Sequence, residues 1–179
     1  HSQVNIALDV HDLHKSFGDN EVLKGISMQA KDGEVWSVIG SSGSGKSTLL
    51  NVLNGIEKPS KGEIRINGIN IHKYPQEIEG VIGYIPQDDL LIEDLSVYQN
   101  LYFAAELCFR KKPEPEIHDL VLKTLNKLGI AEIQHLKVGS ILEKTISGGQ
   151  RKRVNIALEL LREPAVLFVD EPTSGLSSL

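Results

Sequence analysis

The chain has 179 residues, 40% hydrophobic and 24% charged, the composition of one globular domain large enough to bury a core. Its 19 basic and 24 acidic residues leave a net charge of −5, so no broad basic excess marks a nucleic-acid backbone as partner. One cysteine, Cys108, excludes an internal disulfide framework, and no apolar run approaches the ~20 residues of a membrane-crossing helix.

In chain order, the first third reads as β structure. Val4 to Val10 alternates apolar and polar side chains, the period of a half-buried strand. Phe17-Gly18-Asp19-Asn20 is turn chemistry, Val22 to Ala30 a second strand, and Lys31-Asp32-Gly33 a tight turn. Glu34 to Gly40 (EVWSVIG) is nearly continuously apolar, which predicts a strand covered on both faces. Ser47 to Asn54 has helical spacing, with Gly55 at the C-cap. Pro59 to Gly62 turns into a strand at 63–66, Asn67-Gly68 signals a hairpin, and Val81 to Ile85 is another short strand. From about Ser96 to Arg162 helices dominate. Ser96 caps a helix over 97–110, and Lys111 to Pro115 breaks it. In 116–128, Ile117, Leu120, Val121, Leu125 and Leu128 make one apolar stripe, closed by Gly129. Ser147 caps a helix through Leu161, and Ala165 to Val169 is the last buried strand.

Gly40-Ser41-Ser42-Gly43-Ser44-Gly45-Lys46-Ser47 matches G-x-x-x-x-G-K-[ST], between a buried strand and a helix as that motif requires. The glycines let successive N–H groups turn inward as a nest for phosphate oxygens, and the helix N-terminus favours an anion. Lys46 would bridge the β- and γ-phosphates, Ser47 would hold Mg²⁺, and Thr48 would touch the α-phosphate. The loop indicates a nucleoside triphosphate and leaves ATPase, GTPase and small-molecule kinase open.

Two acids end the last strand. A carboxylate near Ser47 suits Mg²⁺, which prefers oxygen ligands, and Asp170 takes that role. Glu171, on the other side of the strand end, would polarise water for in-line attack, a group that hydrolysis needs and a kinase does not. Ser147-Gly148-Gly149, opening a helix, is a second anion-binding N-terminus, unless the serine is an ordinary cap. Two phosphate-reading devices for one nucleotide suggest a head-to-tail dimer, each nucleotide between one chain's loop and the other's Ser-Gly-Gly.

In this order the phosphate loop, Ile146-Ser147-Gly148-Gly149-Gln150 and Val169 to Leu176 (VDEPTSGL) resemble the ATP-binding cassette (ABC) ATPases over essentially the whole chain, with Ile146 where Leu is usual. GYIPQDD and SGGQRKRVNIALELL resemble in particular the G-type (White-like) exporters, whose cassette precedes the membrane domain on one chain. The resemblance implies ATP and Mg²⁺ as ligands. It implies Phe17 as an adenine-stacking residue, against the alternative of a core phenylalanine, and Gln87 as a sensor of Mg²⁺ and γ-phosphate that couples to a membrane partner. The Arg151-Lys152-Arg153 run is read as a solvated basic helix face. The expected fold class is α/β: a P-loop NTPase with a mostly parallel core sheet, an antiparallel β-subdomain and a helical subdomain at about 88–163. The implied function is the ATP-hydrolysing nucleotide-binding domain of a transporter, at the cytoplasmic face of a membrane, with a second such domain and a fused or separate permease as partners. A soluble non-transport ABC ATPase and a non-hydrolysing ATP-binding module are the alternatives.

Two departures from the family stand out. Ser177 occupies the place of an expected Asp. The strand that carries the family's switch histidine, expected between the phosphate-loop strand and the acidic strand, has no counterpart before Leu179, so residues 1–179 read as a domain incomplete at its C-terminus, with two buried strands lacking a ladder partner and negligible hydrolysis on its own.

Overall fold

The computed structural model describes residues 6–39, 45–78 and 82–171, and its contacts divide the protein into two units, His1–Gln87 with Pro164–Leu179, and Asp88–Glu163.

In the first unit, β1 (Ile6–Phe17) and β2 (Asn20–Lys31) form an antiparallel hairpin across Gly18-Asp19, where Gly18 takes a φ of 62°. The sequence predicts a strand ending at Val10, but β1 runs on to Phe17. The reason is a bulge. Val10 and Leu13 both face the core, which a regular strand forbids three residues apart; Asp12 at φ 46° breaks the alternation, and both ladders of β1 shift between these two residues or just beyond them. Gly62 faces the bulge at a φ of 91°, and a Cβ there would run into the Asp12 carbonyl. β3 (Glu34–Ile39) follows, then α1 (Lys46–Leu53), β4 (Lys61–Ile66), β5 (Ile69–Asn70), β6 (Ile82–Ile85) and, after the second unit, β7 (Val166–Glu171). The order β2-β1-β4-β5 makes an antiparallel sheet, its last turn at Asn67-Gly68 with positive φ of 50° and 81° as a two-residue hairpin requires. The order β3-β7-β6 makes a second, wholly parallel sheet. One core joins both sheets and α1, through Leu8, Leu13, Ile64, Leu53, Val166 and Phe168 among others.

β7 is the central strand of its sheet, and Val166 to Val169 are all buried, as a continuous apolar run predicts. β3 differs from its prediction: Val35 is 55% exposed, while Trp36 packs on the core. Ser37, two residues on and on the same face of β3, is exposed as well. Nor do the two strands lack a ladder partner, as the sequence predicts they would. β3 pairs directly with β7, from Glu34 with Val166 to Ile39 with Glu171, so the backbone groups expected to be unpaired bond each other.

The second unit is helical: α2 (Val97–Cys108), α3 (Glu114–Lys127) and α4 (Gly148–Leu160), with a short 3₁₀ turn at Ala131–Ile133. Ser96 starts α2 with a reciprocal capping box to Gln99. α3 begins inside the predicted break. Pro113 is its N-cap residue and Pro115 lies in its first turn, where no N–H is needed. Its C-terminus closes with Gly129 at φ 67° and Ile130 N–H donating to Leu125 O at 3.0 Å. Leu101, Val121, Leu125, Val154 and Leu161 are centred in a core separate from the first.

Candidate functional site

Gly45 enters α1 at φ 89°, a conformation suited to glycine, and Val22 lies 3.0 Å from where its Cβ would be. Gly45 brings no side-chain cap to this helix and its first turn holds no acid, so the field at its N-terminus favours an anion. Lys46 is the first helical residue; Ser47 beside it is exposed and Thr48 half-buried.

Opposite in the same unit, β7 delivers Asp170. The Lys46 ammonium lies 2.5 Å from Asp170 Oδ1, with the side chains only 10% and 12% exposed. Gln87 Nε2 donates to the same oxygen at 3.1 Å, and the Tyr84 hydroxyl donates to Oδ2 at 2.7 Å. Burial pushes the Asp170 pKa up; hydrogen bonds from Lys46, then Tyr84 and Gln87, more than reverse this and hold the carboxyl below its ordinary value. The predicted residues Lys46, Gln87 and Asp170 thus meet around one ionised carboxylate. Tyr84 is a member that sequence reading missed. It pairs with Phe168 in the β6–β7 ladder, and Asp170, two residues further on, shares its face. Only knowledge of that pairing would have revealed it.

Glu171 ends β7 opposite Ile39. Its side chain, and the predicted phosphate-loop residues Gly40, Ser41, Ser42, Gly43 and Ser44, lie outside the described residues, as does Ser177. Phe17 is 47% exposed at the end of β1, which excludes a core phenylalanine.

The second unit holds the other predicted elements. Ser147 Oγ accepts from Gln150 N–H at 3.0 Å, and Gln150 Oε1 accepts from Ser147 N–H at 2.8 Å, a complete capping box. The serine hydroxyl still carries its own proton to donate. A Cβ on Gly148 would meet nothing within 4 Å, so the backbone of this first turn is open to close approach. Of the basic run after it, Arg153 is exposed and Lys152 half-buried, but Arg151 is buried and is not part of a solvated face. Its Nε pairs with Asp89 Oδ2, while Nη2 donates to Gly139 O at 2.7 Å and Nη1 to Val138 O at 3.3 Å. Asn155 extends this network, accepting from Leu90 N–H at 3.1 Å. A signal for it existed in the sequence: Arg151 stands at helical spacing with the buried Val154, Ala157 and Leu161.

Ser47, Asp170 and the Gln87 amide oxygen are the hard oxygen donors that Mg²⁺ takes, and a single protein carboxylate leaves the remaining positions to phosphate and water. No cluster of three or more acidic, His or Cys side chains suited to a metal occurs among the described residues. No helix among them is long and apolar enough to cross a membrane.

A family described as "ABC transporter" matches residues 23–174. ABC transporter G family member 16 of Arabidopsis thaliana is 40% identical over 96% of this chain, which spans 24% of that protein. The ABC transporter ATP-binding/permease protein Rv1747 of Mycobacterium tuberculosis is 40% identical over 89% of the chain, which spans 18% of it. Among solved structures, cbiO1 from Clostridium perfringens, part of the ABC transporter complex cbiONQ, superposes with a TM-score of 0.75 at 38% identity, covering 97% of this chain and 68% of that one. The parallel β3-β7-β6 sheet with α1 is therefore the α/β P-loop NTPase fold, and the chain belongs to the ABC transporter family.

Proposed function

We propose that this chain binds Mg-ATP and hydrolyses it as the nucleotide-binding domain of a membrane transporter. The observation that carries this is the convergence of Lys46, Gln87 and Tyr84 on Asp170, between the opening turn of α1 and the end of a buried parallel strand. Lys46 would hold the β- and γ-phosphate oxygens, assisted by the N–H groups of the first turn of α1. Ser47, Asp170 and Gln87 would hold Mg²⁺, and Asp170 stays ionised for that role because its donors outweigh its burial. Bound there, the metal would neutralise charge on the phosphates during transfer. Glu171, the next residue, would take the proton from the attacking water onto its carboxylate.

Ser147, Gly148, Gly149 and Gln150 are read as the contact to a nucleotide held by a second copy, head to tail. The open glycine backbone and the remaining hydroxyl proton of Ser147 favour this. For the permease, fused or separate, the support lies in residues 89–92. Their backbone is pinned by Asp89, Asn155 and Asn100, while Leu90 and Ile92 stay 63% and 56% exposed, a firm seat with apolar side chains turned outward. Such a domain would work at the cytoplasmic face of a membrane.

The test is ATP turnover by the full-length protein. Glu171→Gln is expected to lower kcat by at least about 100-fold while ATP still binds. Wild-type protein that binds ATP without turnover would identify a binding module instead. Turnover unaffected by Glu171→Gln would overturn the assignment of that residue.

A further inference from the structure

A half-exposed ring at a strand end has rotamer freedom unless something holds it. Phe17 is held. The Lys15 ammonium lies over its ring, 5.1 Å from the centroid. Two residues apart on β1, the side chains share a face. Lys15 is itself fixed. Its Nζ donates to Lys58 O at 2.7 Å and lies 3.5 Å from Glu57 Oε2, and the side chain is only 14% exposed. The same stretch is tied to β1 twice more: Ser16 N–H donates to Ser60 Oγ at 3.0 Å, and Ser60 N–H to His14 O at 2.7 Å. It is also bonded back to α1. Ile56 and Glu57 N–H both donate to Asn51 O, at 2.9 and 3.2 Å, beside Gly55 at φ 77°. A continuous run of contacts therefore leads from the Phe17 ring to the helix that opens at Lys46.

We propose that Lys15 is a positioning residue for the nucleotide. It caps one face of Phe17, leaves the other face to a purine base, and ties that platform to α1 so that base and phosphates are received at a set separation. Its donors are turned to Lys58 O and Glu57, so it acts through the ring and not by touching phosphate. The inference rests on the reading of Phe17 as the base platform.

The experiment measures equilibrium binding of ATP and of inorganic tripolyphosphate, which has no base, to the full-length protein and three variants. Phe17→Ala tests the platform; ATP affinity is expected to fall about tenfold, in the range of base–aromatic stacking, with tripolyphosphate unchanged. Lys15→Met is expected to weaken ATP about two- to fivefold, the worth of an exposed cation–π contact, again with tripolyphosphate unchanged. Lys15→Arg, which keeps cation and donors, is expected to restore ATP affinity. If Phe17→Ala leaves ATP binding intact, the platform reading falls, and the inference with it. If Phe17→Ala weakens ATP while Lys15→Met does not, only the inference falls. If Lys15→Met weakens both ligands equally, the lysine acts through charge or folding, and the inference is overturned.

Discussion

Each unit of the molecule is organised around an aspartate paired with a cation, and the two pairs are built for different ends. Asp170 in the first unit takes its partners from side-chain tips: an ammonium, a carboxamide and a phenol, all at the ends of elements. Every one of those groups can be given up to a ligand without unpairing backbone. In the second unit, Arg151 pairs with Asp89 but also fills two main-chain carbonyls, at Val138 and Gly139. The first pair is arranged as the proposed site requires; the second is a fastening.

The sharpest way to break this comparison is Arg151→Met, which keeps the bulk and strips the fastening. The half-buried Asp89 carboxylate loses its cation and two carbonyls lose a donor, and the cost is expected to be about 3 kcal/mol, read from urea denaturation. A loss below about 1 kcal/mol would show that Arg151 fastens nothing. Asp170→Asn should cost less in stability, about 1–2 kcal/mol, yet more in function, lowering turnover of the full-length protein at least about 100-fold. It also has a pH signature. The folded-state pKa of Asp170 is lowered, so its contribution is complete above the unfolded value of about 3.9 and is lost as pH falls through the folded value. Wild type should therefore lose more stability than Asp170→Asn on acidification below about pH 4, and parallel acid profiles would contradict the shift. The mildest change is Tyr84→Phe. One donor to Asp170 goes, with an expected loss of about 1 kcal/mol and an acid profile moved to higher pH. An unmoved profile would show that the phenol does not hold the charge.

How legible each pair was depends on the range of its physics. The buried run into Asp170-Glu171, the Asn67-Gly68 hairpin and the serine caps at 96 and 147 are local: each depends on neighbours within about four residues, and each stands in the structure where the pattern put it. Helix α3 was predicted late because two prolines read as a break when they stand as a start, since a first turn needs no N–H at Pro115. The exposure of Val35 and the Tyr84–Asp170 bond depend on which strands become neighbours, and no single stretch carries that. Arg151 was readable in principle, because it sits on the apolar stripe of α4, but a basic run invites a solvated reading before spacing is checked.

The bulge in β1 has a consequence for the nucleotide reading. Sides alternate along a strand, so residues an odd number of positions apart should face opposite ways. Val10 and Leu13 do not, because Asp12 at φ 46° slips the phase. A β-branched residue at position 12 would resist that angle. The strand would then either keep its parity, turning Leu13 out of the core, or come unpaired from there to the hairpin tip. Phe17 lies five residues beyond the slip, so the backbone angle at Asp12, together with the register shifts at Leu13–His14 and Lys15–Ser16, sets the side of the sheet on which the proposed base platform stands.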